Sequence, residues 1–312
     1  MDIPRSISNA SRTSPSELPS SGFSSVEPEP QDPFAQSTKN EHPFTTIQSF
    51  RKALERRHQE LLQDQTQDQY LVFTSVPPAQ FPRLSQDGSR TSKYSRICFN
   101  AETGILIVKV MPTITHELAI RLFDQLITFE LQAMNLLQHI DPLGSTTIPV
   151  GNWKKEADCS WGPASVNTGP SFVVEVGLSE STRHLALDAH GWLETPSSSV
   201  QLAVTINITR TNPEIVLRRW ELTPRRYSVR TRSSPSSAQC TALIKISRTN
   251  NATSVTGEFY VNGTATATRQ LNLPFAKITG RNPQPPLERD FVIPEQALEN
   301  FAEGIWRRQG LL

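Results

Sequence analysis

Apolar residues along this chain follow two rhythms. One recurs every three to four positions and predicts helices; the other alternates or runs on and predicts strands. Ile47, Phe50, Leu54, Leu61 and Leu62 have helical spacing and predict a helix over 45–63. Residues 70–76 read as a short apolar strand that Pro77 and Pro78 end. Residues 95–111 read as a hairpin turning through Ala101, Glu102, Thr103 and Gly104, and its second strand, GILIVKVMP, is apolar on both faces. Thr115 is a suitable N-cap for the longest periodic stretch, HELAIRLFDQLITFELQAMNLLQHI, at 116–140. A strand begins between Ile148 and Trp153, and the buried strand FVVEVGL follows at 172–178. Ser179 to Ser181 cap a helix over 182–193, and VQLAVTINI at 200–208 is the next strand. Further strands at 215–222, 242–247, 256–261 and 267–273 alternate with polar loops and predict an antiparallel extension. A proline-rich crossing at 283–294 leads to a final amphipathic helix at 295–308. Antiparallel hairpins combined with a crossover helix place the chain in the α/β class, as an α+β mixed sheet.

Composition adds boundaries to this outline. Residues 1–43 are rich in Ser, Pro, Glu and Gln and poor in large apolar side chains, so a disordered tail is expected there. The organisation expected is therefore the tail, a helix with polar spacer at 44–69, a core with its β extension at 70–282, and the terminal segment at 283–312. Formal net charge is +1, so electrostatic recognition has to be local. Three scattered cysteines form no C-x-x-C pair and suit a reducing compartment. The first residues lack the apolar stretch of a secretory signal, and no run is long enough for a membrane helix. An intracellular protein of the nucleus or cytoplasm, with no membrane partner, is expected. Its oligomeric state is not legible.

One residue breaks the hydrophobic pattern in a way that calls for chemistry. Glu175 lies inside FVVEVGL, on the same strand face as Val173 and Gly177. A carboxylate in an apolar strand has to be paired, hydrogen-bonded or bound to a cation. Asp158 lies upstream, after Lys154 and Lys155. Glu117, in the first turn of the long helix, serves either the helix dipole or a site. His184 and Asp188 are spaced to pair along their helix. Lys52, Arg56 and Arg57 line one side of the first helix, as a solvated face or a contact to nucleic acid. The densest basic cluster is Arg218, Arg219, Arg225, Arg226, Arg230 and Arg232, interleaved with Trp220 and Tyr227. It reads as a charged strand edge or as a nucleic-acid contact. There is no phosphate-binding G-x-x-x-x-G-K-[ST] loop, no G-x-G-x-x-G, no G-x-S-x-G and no H-E-x-x-H.

Three strings, LIVKVMPTITHE (106–117), GSTT with KKEADCSW (144–161) and FVVEVGLSESTRHLALDAHGWL (172–193), followed by VQLAVTINI (200–208), resemble the PD-(D/E)XK or restriction endonuclease-like superfamily. More narrowly they look like an uncharacterised fungal group with that fold. The resemblance covers residues 95–210. It implies a restriction endonuclease-like core acting on nucleic acid, DNA rather than RNA, with Mg²⁺ or Mn²⁺ as cofactor. Asp158 and Glu175 match the motif acids, Glu117 matches the acid of the first core helix, and the Val176 carbonyl would be a further metal ligand. The family's lysine, two residues after the glutamate, is here Gly177. Arg183, His184 and Gln201 are the substitutes within reach by sequence. A domain of the same fold that binds or scaffolds without cleaving is the alternative this departure implies.

Overall fold

The alternating segments build two large sheets with one helix held between them, and that arrangement decides which polar groups meet. The structure is a computed structural model; it describes residues 41–66, 68–88, 94–111, 113–165, 168–224, 236–261 and 263–312. These fall in one compact unit.

The chain enters through β1 (Glu41–Pro43), α1 (Ile47–Leu62), β2 (Tyr70–Thr74), α2 (Phe81–Ser85), β3 (Ser95–Asn100) and β4 (Ile105–Val110). It continues with α3 (Ile114–Ala133), β5 (Ile140–Pro142), β6 (Thr147–Val150), β7 (Trp153–Glu156), β8 (Cys159–Pro163) and β9 (Phe172–Leu178). Next come α4 (Thr182–Leu193), β10 (Leu202–Ile208), β11 (Glu214–Pro224), β12 (Ser236–Thr249), β13 (Ala252–Val261) and β14 (Thr264–Thr268). The last elements are β15 (Leu271–Leu273), α5 (Phe275–Thr279), β16 (Phe291–Ile293) and α6 (Glu295–Gln309). A six-stranded sheet runs β1-β2-β4-β3-β7-β6, an eight-stranded sheet runs β14-β13-β12-β11-β10-β9-β8-β5, and β15 pairs with β16. The class is mixed α/β. No helix among the described residues is long and apolar enough to cross a membrane.

Strand alternation gives each sheet two apolar faces, and helices cover them. Phe50, Leu54 and Leu61 of α1 lie on Leu71, Phe73, Leu106 and Val108 of the six-stranded sheet. On the eight-stranded sheet, Phe172, Val174, Val176 and Leu178 face α3 and α6 through Phe123, Ile127, Phe301 and Ile305. The opposite face, with Val173 and Ala203, takes Ala189, Trp192 and Leu193 of α4. Leu187 of α4 touches the inner face of the six-stranded sheet, where Tyr70, Val72 and Ile107 cluster. So α4 lies between the two sheets, and the Glu175 face of β9 looks toward it.

Several elements depart from the sequence reading for identifiable reasons. Glu41–Pro43 belongs to the fold rather than to a tail, because it pairs in parallel with Val72, Phe73 and Thr74 of β2. The long helix is capped by Thr113, whose hydroxyl accepts from the His116 N–H, and not by Thr115. It stops at Ala133, and Asn135 at φ 56° turns the chain, so the apolar residues beyond it pack without being helical. The stretch 267–273 divides: β14 closes the eight-stranded sheet and β15 leaves it to pair with β16. Arg57 is buried rather than solvated and donates to the carbonyls of Asp68 and Tyr70 at 2.7 and 2.9 Å.

Phe123 is fully buried and meets the Phe301 ring edge-on at 6.2 Å between centroids. Phe123→Ala is expected to lower the unfolding free energy by about 3–5 kcal/mol, through lost transfer energy and the cavity left behind. Chemical denaturation measures it.

Candidate functional site

Four segments deliver polar side chains to the space beside α4. The first is the β2–β4 pair, whose register sets Tyr70 opposite Lys109 on the inner face of the six-stranded sheet. The second is β8–β9. Its register, Cys159 with Val174 and Ser160 with Val173, brings Asp158 level with Glu175. The third is α4 and the residues before it, which supply Glu180, Asp188 and Trp192. The fourth is the first turn of α3, where His116 points inward.

Lys109 is the common partner. Its Nζ lies 3.4 Å from Asp158 Oδ2, 3.7 Å from Glu175 Oε2 and 3.5 Å from Glu180 Oε2. Asp158 Oδ2 also accepts from the Val176 N–H at 2.8 Å, and Glu175 Oε1 accepts from the Trp192 indole at 2.7 Å. The Tyr70 hydroxyl donates to Glu180 Oε1 at 2.5 Å and lies 3.0 Å from Asp188 Oδ2. His116 Nε2 is 3.2 Å from Asp158 Oδ2 and 3.1 Å from the Val176 carbonyl. A carbonyl only accepts, so Nε2 carries the hydrogen. Exposure is 2% at Asp158, 4% at Glu175, 5% at Lys109 and 6% at Glu180.

In a site this dry, charge is rationed. Burial opposes ionisation of Asp158, but Lys109, His116 and Arg96 hold its carboxyl below the usual range. Burial, reinforced by the Asp158 and Asp188 charges, pushes Glu175 well up despite Lys109 and Trp192. Burial takes Glu180 to about 7, with Lys109 opposing and Asp188 adding to the rise. Asp188 also rises, chiefly from burial. Burial alone would lower Lys109, yet the surrounding carboxylates raise it well above its ordinary value, and it stays charged. Asp158 outweighs burial at His116 and raises it as well.

The residues singled out from sequence fare differently. Asp158 and Glu175 meet across two strands and share Lys109. Glu117 stands outside this cluster, with 41% of its side chain exposed, and Arg96 bridges it to Asp158 at 3.7 and 3.8 Å. The Val176 carbonyl is taken by His116. Arg183 and Gln201 are exposed, while His184 meets the Tyr70 ring edge-on at 5.1 Å. Asp188 bonds Tyr70. Arg218 and Arg219 are neighbours on β11 and so face opposite sides of it. Arg219 is held by Glu221 at 3.0 Å, Thr241 at 2.8 Å and the Asn272 carbonyl at 2.6 Å. Arg225, Arg226, Arg230 and Arg232 lie outside the described residues. Sequence reasoning missed Lys109, Tyr70 and Glu180, and met His116 only in rejecting a zinc motif.

Gly177 is explained by its neighbours. A Cβ there would stand 2.7 Å from Glu180 Cβ and Oε2 and 3.1 Å from Leu185 Cδ1. Glu180 fills the space a side chain at 177 would need, and Lys109 reaches the acids from the other sheet.

The donor set argues against a divalent ion in this arrangement. Mg²⁺ requires oxygens at about 2.0–2.1 Å and near-octahedral geometry. Here the carboxylates are spread around an ammonium, and among the described residues no group of three His, Cys, Asp or Glu is gathered to hold a metal.

No family model matches the chain, and no curated protein matches it. Among solved structures it is similar to a DUF820 protein of Anabaena variabilis ATCC 29413 put forward as a nuclease, with 10% identity and a TM-score of 0.32. The similarity spans 50% of this chain and 89% of that one.

Two outcomes are expected. Gly177→Ala should destabilise by about 1–3 kcal/mol, by overpacking against Glu180, in chemical denaturation. For Glu180, whose carboxyl moves from 4.5 to about 7 on folding, the native state keeps a proton that the unfolded chain has released. Stability therefore falls as pH rises between those values and is level above them. His116 acts in the same direction, its pairing being lost as pH rises through its raised value. The melting temperature should drop from pH 5 to 7, and Glu180→Gln should flatten much of that slope; an unchanged slope would remove Glu180 from the account.

Proposed function

We propose that residues 95–210 form a core of the restriction endonuclease-like kind that does not cleave nucleic acid and serves as a scaffold domain. The observation that carries this reading is Lys109. Its ammonium stands between Asp158 and Glu175, at 3.4 and 3.7 Å, with both acids sealed from solvent. Water activation at a phosphate needs acids that are open to substrate and a metal ion; this pair is spent on an internal lysine.

The core assignment is supported by element order and by the placement of the acids. Helix α3 precedes β8 and β9, which are antiparallel, and α4 then crosses to β10, parallel to β9. One acid stands just before β8 and its partner within β9, as the sequence resemblance implies.

A second reading is metal-dependent cleavage of nucleic acid with Mg²⁺ or Mn²⁺, on DNA rather than RNA. Its support is the excess of acid: Asp158, Glu175, Glu180 and Asp188 surround a single lysine that contacts the first three.

Incubation of the full chain with supercoiled plasmid, single-stranded DNA and RNA in Mg²⁺ or Mn²⁺ separates the two. We expect no products. Nicking by the wild type that Glu175→Ala abolishes would replace the scaffold reading with the nuclease one.

A further inference from the structure

We infer that this protein pairs with a second copy of itself through β14, the two strands running antiparallel about Thr266 and joining the two eight-stranded sheets edge to edge. The pairing is independent of whether the core cleaves nucleic acid.

The outer strand of a sheet presents unpaired N–H and C=O groups, and proteins that stay single blunt it with proline, charge or shortness. Three of the four outer strands of the two large sheets follow that rule. β1 has three residues, among them Glu41 and Pro43; β5 has three, among them Asp141 and Pro142; β6 carries Pro149. β14, Thr264–Thr268, has five residues and neither a proline nor a charge. Thr264 to Ala267 are exposed and Thr268 is half-buried. Its inner edge pairs with β13 from Gly257 to Val261. Alternate residues turn their N–H and C=O to the other side, where no strand among the described residues receives them.

The strand itself specifies the occupant. Its sequence, Thr-Ala-Thr-Ala-Thr, is the same in both directions. A two-fold axis at Thr266 therefore sets Thr264 opposite Thr268, Ala265 opposite Ala267 and Thr266 opposite its own copy, and threonines facing across strands stabilise the pair. No like charges meet: Arg269 would lie opposite Gly263 and is already bridged to Glu295 at 3.4 Å. Beside the strand, Tyr260 and Val261 are large residues 36% and 54% exposed. The β13–β14 register puts Tyr260 beside Ala265 and Glu258 beside Ala267. Extended across the axis, one row runs Tyr260, Ala265, then Ala267 of the partner subunit and Glu258 of the partner subunit, and the symmetry repeats it. The small alanines leave a trough for the Tyr260 ring. Its hydroxyl donates to Glu258 of its own strand at 3.0 Å, so the ring is held on this face before pairing.

The contact is small, of the kind that forms reversibly, and a dissociation constant on the order of micromolar is expected. Sedimentation velocity of the full chain over a concentration series should show monomer passing to dimer. Thr266→Lys and Thr266→Glu each set like charges face to face at the axis and should weaken the dimer by roughly tenfold or more. Mixed in equal amounts, the two variants should recover a heterodimer, because lysine then faces glutamate. Thr266→Cys is the gentler probe: under mild oxidation it should link two copies by a disulfide at position 266, above the level given by the wild-type cysteines. Wild type that stays monomeric to about 1 mM overturns the inference. A dimer that both charged variants leave intact overturns it too. Loss of the dimer without recovery in the mixture, or no added crosslink in Thr266→Cys, overturns the pairing about Thr266.

Discussion

The interior of this protein is organised by one buried positive charge. Lys109 is carried on a strand whose neighbours are apolar, and it would be costly there without compensation. Asp158, Glu175 and Glu180 supply that compensation, yet they are themselves too many for one lysine. The structure resolves the excess by letting Asp158 keep its charge while Glu175, Glu180 and Asp188 are shifted toward holding protons. Tyr70, His116 and Trp192 then serve as hydrogen-bond partners for the carboxylates. Removing a single member of such a group leaves another buried group unmatched, which costs more than the pairing itself is worth.

The helix between the sheets is what makes this arrangement possible. Helix α4 brings Trp192 to Glu175 from one side and Leu187 to the six-stranded sheet from the other. Lys155 lies 4.6 Å from the Trp192 ring centroid, so the indole is held on its face by a cation while its N–H points at the acid. Gly191 permits that approach, since a Cβ there would come within 2.6 Å of Lys155 Nζ. The acid pair is thus supported by a strand, a helix and a second sheet, each fixed by its own apolar packing.

Much of this was legible from local pattern, and the rest was hidden by distance along the chain. The boundaries of α4 and β9 follow directly from spacing and capping, because their residues answer to neighbours a few positions away. Glu175 announced itself as a charge in an apolar strand. Lys109, in ILIVKV, carried the same signal and passed unread, because its strand was weighed for apolarity alone. Glu180 looked like part of a helix cap, and Asp188 looked like the partner of His184. Both also meet Tyr70, 110 and 118 residues away from them. Arg210 is paired with Asp64 at 2.7 Å, another contact between distant parts of the chain. Which charges neutralise one another is a property of tertiary register, and one sequence does not print it.

The Tyr70–Lys109 cross-strand pair has a consequence for how the chain reaches this state. Tyr70 and Lys109 sit on strands near the start of the described chain, whereas Asp158, Glu175 and Glu180 belong to segments much further along it. In the unfolded chain lysine and acids are hydrated and no compensation is required. Folding dehydrates them together, over contacts of long sequence separation, which slow a folding reaction. The cluster is therefore sensitive to register: a one-residue slip in β4 would turn Lys109 away and leave the acids in the interior alone.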